Sequence, residues 1–107
     1  MDKRTRLHKA LRVHAVVPGE AKHVEIAGYE IAVFNLDGVF FATDDICTHM
    51  RARLSDGFVE DDVVQCPLHF GTFDIRSGKA RSAPCTEDLQ TYPARIEGDW
   101  VMVELPN

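Results

Sequence analysis

No apolar run in this chain approaches the roughly 20 residues that a membrane-spanning helix requires, and the opening Met1-Asp2-Lys3-Arg4 lacks the hydrophobic segment of a secretory signal. A cytoplasmic location is the expectation. Cysteine is scarce as well: Cys47, Cys66 and Cys85 cannot build a disulfide framework, which again suits a reducing compartment. Helical periodicity is nearly absent, with only Leu7, Ala10 and Leu11 hinting at a turn of helix near the N-terminus. No internal repeat or linker divides the 107 residues, so a single domain over residues 1–107 is expected, large enough for one core, with residues 1–10 held loosely.

Basic residues thin out once the first dozen positions are passed. Lys3, Arg4, Arg6, Lys9 and Arg12 gather there, and the remaining 95 residues carry 16 acidic against 7 basic side chains, for a net charge of −5 overall. Nucleic-acid binding is thereby excluded, because neutralising phosphates needs a basic face. A small acidic protein is instead steered toward basic patches on larger partners. Five of the seven basic residues in the body, Arg51, Arg53, Arg76, Lys79 and Arg81, fall between residues 51 and 81. They either balance negative charge at a site they bracket or are ordinary surface charges.

What the chain does have is two cysteine-histidine pairs, Cys47-Thr48-His49 and Cys66-Pro67-Leu68-His69, with sixteen residues between them. Two thiolates and two imidazoles hold either a structural zinc ion or a two-iron cluster with both sulfurs on one iron and both nitrogens on the other. The spacing weakens the zinc reading, since structural zinc ligands usually come in knuckles with two to four intervening residues and Cys47 and His49 leave one. In the zinc case the protein is a stapled interaction module with no redox role.

The run from Cys47 to Gly57, Cys-Thr-His-Met-Arg-Ala-Arg-Leu-Ser-Asp-Gly, and the run from Cys66 to Asp74, Cys-Pro-Leu-His-Phe-Gly-Thr-Phe-Asp, resemble the Rieske [2Fe-2S] family. Within it, the likeness is to the small ferredoxins of bacterial ring-hydroxylating dioxygenases of the naphthalene and biphenyl type. Ser77-Gly78-Lys79-Ala80, Ala83-Pro84 and Thr91-Tyr92-Pro93 extend the match, which covers roughly residues 29–105. The resemblance implies one [2Fe-2S] cluster, with Cys47 and Cys66 on a buried iron and His49 and His69 on the outer one. The two histidines would bind through Nδ1 and also form the electron's shortest exit. Around the cluster it implies Met50, Arg51, Leu68, Phe70, Gly71 and Phe73, with Pro84 in a third covering loop. Met50 stands where such ferredoxins commonly have glycine.

Charge bookkeeping explains why such ligation matters. Two ferric ions, two sulfides and two thiolates sum to zero, so an added electron is less disfavoured than in a four-thiolate centre. Potentials run from about −150 to +300 mV, against about −400 mV for plant-type centres. Resemblance implies a value near the bottom of that range. Ala52 and Leu68 replace the cysteines that form a disulfide in high-potential relatives, and Gly71 and Phe73 replace their hydroxyl donors. Protonation of bound histidines further implies a potential that falls as pH rises through their pKa values.

The body reads as all-β. Strands are expected at residues 23–27, 29–36, 39–43, 63–65, 72–75, 90–97 and 100–105, with Asp37-Gly38 and Gly98-Asp99 as hairpin turns and Gly28 as another. Cluster-binding loops fall at about residues 45–55 and 64–85, and the resemblance implies a three-sheet antiparallel architecture with a small cluster-binding subdomain. His8, His14 and His23 have no ligand partner in sequence and read as surface or ordinary polar residues. Cys85 reads as a small apolar group near the cluster and Trp100 as packing.

Function follows from these expectations. The first reading is a one-electron carrier between a flavin-dependent NAD(P)H reductase and the terminal oxygenase of an aromatic-ring dioxygenase system. It is not itself an enzyme, since nothing resembles the two-histidine, one-carboxylate iron site that activates oxygen. The alternative is a small subunit of an assimilatory NADH nitrite reductase.

Overall fold

A computed structural model describes residues 4–48, 51–68 and 70–106. Eleven strands are described: β1 (Thr5–Arg12), β2 (Ala21–Ile26), β3 (Tyr29–Leu36), β4 (Val39–Asp44), β5 (Phe58–Glu60), β6 (Val63–Gln65), β7 (Thr72–Asp74), β8 (Ala80–Ser82), β9 (Thr91–Tyr92), β10 (Ala94–Glu97) and β11 (Trp100–Pro106). They form three antiparallel sheets, ordered β1-β11-β10, β2-β3-β4-β9 and β5-β6-β7-β8. The described helical content is two 3-10 turns, Val13–Ala15 and Leu54–Asp56.

The central strand explains the layering. Residues 31–36 of β3 are all buried, which demands cover on both faces because successive side chains point opposite ways. Ile31 and Val33 join Val16, Phe40, Ala42, Val101, Val103 and Leu105 in one core, with the β11 side chains closing it. Ala32, Phe34 and Leu36 face a second core with Leu54, Val64, Phe73, Ile75, Leu89 and all three cysteines. That second core joins the middle sheet to the small third sheet and its loops.

Turns sit where the sequence places them. Asp37 and Gly38 both take positive φ (59° and 92°), the geometry of a two-residue hairpin whose twist matches its strands. Asn35 fastens this hairpin, its Oδ1 accepting from Gly38 N–H at 2.7 Å while its Nδ2 donates to the Val16 carbonyl at 2.7 Å.

Two expectations need correction. The N-terminal segment is not helical from Thr5 onward: Thr5–Arg12 is a strand that pairs antiparallel with β11. A bulge between Lys9 and Leu11 breaks the two-residue alternation, so the apolar spacing imitates a helical turn. The expected strand at 90–97 is two strands in different sheets. Pro93 lies between them, has no N–H for a ladder, and offers its carbonyl to Glu104 N–H at 2.9 Å. Strands β5 and β8, three residues each, were not expected at all.

Trp100 packs on the outer sheet, with Arg12 and Lys9 4.6 and 5.0 Å from its ring centre. Tyr92 donates its hydroxyl to Asp44 Oδ1 at 2.6 Å; burial and then that carboxylate hold the phenol above its ordinary range.

Candidate metal centre

Each cysteine of the two pairs opens a loop that its own backbone closes. Cys47 N–H donates to the Ala52 carbonyl at 2.9 Å, and Cys66 N–H donates to the Gly71 carbonyl at 2.8 Å. Both bonds reach five residues ahead, so each cysteine heads a short loop closed by its own backbone. The first loop hangs from β4 and is drawn together by the Ile46–Arg53 bridge and by Leu54 N–H donating to the Asp45 carbonyl at 2.7 Å. The second joins β6 to β7.

His49, Met50 and His69, three of the expected site residues, lie outside the described residues. Among the others, Cys47 and Cys66 are 4% and 0% exposed, carry free thiols, and lie side by side at the second core. Gly71 and Phe73 are buried behind them, while Leu68 and Phe70 stand outward at 45% and 61% exposure. Pro84 is half-buried in the third loop. That loop is tied to the first by Thr48 Oγ1 donating to the Glu87 carbonyl at 2.8 Å, and to the β7–β8 turn by Leu89 N–H donating to the Gly78 carbonyl at 2.7 Å.

One contributor was missed in the sequence. Asp45, two residues before Cys47, is fully buried and forms a clasp across the neck of the first loop. Its Oδ1 accepts from Ser55 N–H at 2.7 Å, its Oδ2 accepts from Ser55 Oγ at 2.7 Å, and His23 Nδ1 lies 2.6 Å from Oδ2. The only sequence signal was an acidic residue beside a ligand pair, and acidic residues are usually surface groups.

The arginines near the site are matched locally. Arg51 and Arg53 reach Glu30 at 3.4 and 4.0 Å, Arg76 reaches Asp62 at 3.8 Å, and Arg81 reaches Asp74 at 3.5 Å. These partly exposed pairs support the reading of ordinary surface charges, worth little individually.

The two described donors are sulfurs, which suit a soft or borderline metal ion or an iron–sulfur cluster. Burial, and then the neighbouring Cys47 sulfur, push the Cys66 thiol up from its usual range. Two adjacent thiols in an apolar core carry thiolate charge only when a cation compensates it. Two buried sulfurs are therefore poised for one metal ion.

The model of the Rieske [2Fe-2S] domain matches residues 6–93 of the chain. The chain belongs to the Rieske family. This Rieske domain therefore carries one [2Fe-2S] cluster of that type. It is 50% identical over 97 residues to the biphenyl dioxygenase ferredoxin subunit of Pseudomonas sp. (strain KKS102), covering 90% of this chain and 89% of the relative. Among solved structures, a Sphingomonas yanoikuyae B1 ferredoxin superposes with a TM-score of 0.89 at 38% identity, over 94% of this chain and all of that one. The ferredoxin of carbazole 1,9a-dioxygenase, solved in a complex of reduced oxygenase and oxidised ferredoxin, gives 0.86 at 34% identity, over 91% of both chains. The three-sheet β architecture of the Rieske domain is the fold expected from the sequence.

Proposed function

We propose that this Rieske protein is the one-electron carrier of an aromatic-ring dioxygenase system, accepting electrons from a flavin-dependent reductase and delivering them to a terminal oxygenase. The observation that carries the reading is the pair of closed loops, each opening on a buried free cysteine, whose sulfurs meet at the edge of the second core. Cys47 and Cys66 hold the inner iron, and His49 and His69 hold the outer one. The bound cluster supplies a single reversible electron.

The chain's own residues set the conditions. Leu54, Phe73, Ile75 and Leu89 keep water from the sulfur side, which makes exit through the histidine side the short route. Leu68 and Phe70 give the second loop an apolar outer surface for a partner to cover. The relatives it matches are ferredoxin components of dioxygenase systems, and this protein too is a carrier and not a catalyst. We place it in the cytoplasm, a reducing compartment that suits a chain with two cysteines on iron and the third left without a disulfide partner. Among the described residues no helix is long and apolar enough to cross a membrane.

The nitrite reductase reading gives way to this one, because the relative that shares half of the aligned residues is a dioxygenase ferredoxin. Electron paramagnetic resonance of the dithionite-reduced protein tests the centre. The expected outcome is the anisotropic signal of mixed histidine and cysteine ligation, with two irons and two sulfides per chain and a midpoint near the lower limit of about −150 mV. A colourless zinc protein, or an all-sulfur signal, would falsify the ligand assignment. Reconstitution with a reductase and a terminal dioxygenase, compared with a nitrite reductase large subunit, checks the partners.

A further inference from the structure

Strand β5 is an open edge of the third sheet, and it carries the most exposed large apolar side chain among the described residues, Phe58 at 69%. Val59 packs toward the second core, so strand alternation turns Phe58 and Glu60 together to the outside. One exposed ring alone is ordinary surface. This one borders a solvent-open hollow of about 320 Å³, walled on its other side by Gly19, Glu20 and Ala21 where the chain enters β2. Glu20 is exposed, its carboxylate engages no side-chain partner among the described residues, and no basic residue lines the hollow. An aromatic face and an uncompensated carboxylate bordering one hollow are what an arginine or lysine side chain binds: the ring quadrupole attracts the cation and the carboxylate pairs with it.

The place of the hollow identifies the guest. Phe58 stands opposite Gln65, so the two side chains share one face, and Gln65 immediately precedes Cys66. Gln65 Nε2 donates to the Phe70 carbonyl at 3.5 Å. Phe58 is therefore one strand across from the base of the second ligand loop, whose Leu68 and Phe70 stand exposed. A protein that covers this loop to take the electron also reaches the hollow. The charge of the body, 16 acidic against 7 basic side chains beyond residue 12, calls for a basic surface on that protein.

We propose that the hollow beside Phe58 receives an arginine or lysine side chain of the terminal oxygenase, with the ring holding the cation on its face and Glu20 pairing with its charge. This rests on the carrier reading above. The contact lies to the side of the electron's exit; it fixes the docked orientation and leaves the cluster untouched.

The test uses the cluster-loaded full chain with a reductase and a terminal dioxygenase, measuring turnover against carrier concentration, the rate at which the reductase alone reduces the carrier, and the midpoint potential. Phe58→Ser raises the carrier concentration at half-maximal turnover about two- to fivefold, the scale of an exposed cation–π contact, with the potential and the reductase rate unchanged. Phe58→Tyr keeps the ring and holds the wild-type value. Glu20→Gln raises the half-saturating concentration less than Glu20→Lys, which places a like charge where the guest arrives. Half-saturation unchanged in both Phe58→Ser and Glu20→Lys would overturn the proposal. So would a potential that moves with Phe58→Ser, which assigns the effect to the cluster, or a loss confined to the reductase step, which makes the reductase the guest. Wild-type protein that shows a Rieske signal yet sustains no dioxygenase turnover would sink the carrier reading, and this contact with it.

Discussion

At the scale of single residues, the most consequential side chain outside the ligand pairs is Asp45. A fully buried carboxylate is costly unless its oxygens are satisfied, and here three polar groups at 2.6 to 2.7 Å satisfy it. All of them join chain segments that the first loop must hold together: the end of β4, the turn at Leu54–Asp56 and strand β2. Asp45→Ala leaves the Ser55 N–H and Oγ without this partner. The expected loss is about 1–3 kcal/mol in chemical denaturation, together with faster iron release from the loaded protein. Asp45→Asn keeps the shape and one good acceptor, so it should fall between Ala and wild type. An Ala variant as stable as the parent would show that the loop is held by its backbone bonds alone. His23 enters this clasp from 22 residues away in sequence. Nothing in the local pattern could have announced it, because the contact is created by the pairing of β2 with β3.

At the scale of elements, the second ligand loop depends on the small third sheet, and Asp74 at the end of β7 organises the turn that follows. Its Oδ1 accepts from Ser77 N–H at 3.0 Å and its Oδ2 lies 3.5 Å from Arg81 of the next strand. The Ser77 bond first, with Arg81 adding, holds the carboxyl below the usual aspartate range. A depressed value in the folded chain means that the ionised form is favoured by folding. Its contribution is complete above the unfolded value of about pH 4 and is lost as pH falls through the lowered folded value. Wild type should therefore exceed Asp74→Asn in stability at neutral pH, with the gap closing under acid conditions. Denaturant titrations over that pH range check it, and a gap that does not narrow would place the effect in shape and not in charge.

The same scale shows what was legible. Strand β3 matched its expected span because its short run of aromatic, β-branched and other apolar residues, broken only at Glu30 and Asn35, is bounded by turn residues on both sides. The loops carrying both cysteines were legible from their motifs. Strand β1 was hidden by its bulge at Ala10, and the division at Pro93 was hidden because an alternating pattern persists on both sides of it. Strands β5 and β8 are too short to show a period and exist because β6 and β7 give them edges to pair with. Asp45 and the seating of Cys85 against Gly71 depend on long-range packing, which single-sequence patterns do not encode.

At the scale of the whole molecule, a carrier must meet two larger partners briefly and lose an electron to one of them. An acidic body with locally paired arginines contributes steering that salt weakens, so the short-range fit must come from elsewhere. Phe70 is the candidate. It is 61% exposed, beside the expected ligand His69, and its backbone takes a φ of +60°, a conformation bulky residues rarely adopt. An exposed aromatic ring in such a place either anchors a partner or shields the cluster, and one variant separates the two. If the ring anchors, Phe70→Ser raises the concentration of carrier needed for half-maximal oxygenase turnover several-fold, leaves the midpoint potential unchanged, and leaves a rate more sensitive to salt, since electrostatic steering then carries more of the encounter. If the ring shields, the potential moves and the concentration dependence does not. Exposure at this level favours the anchor, and a shifted potential with unaltered partner affinity would reverse that assignment.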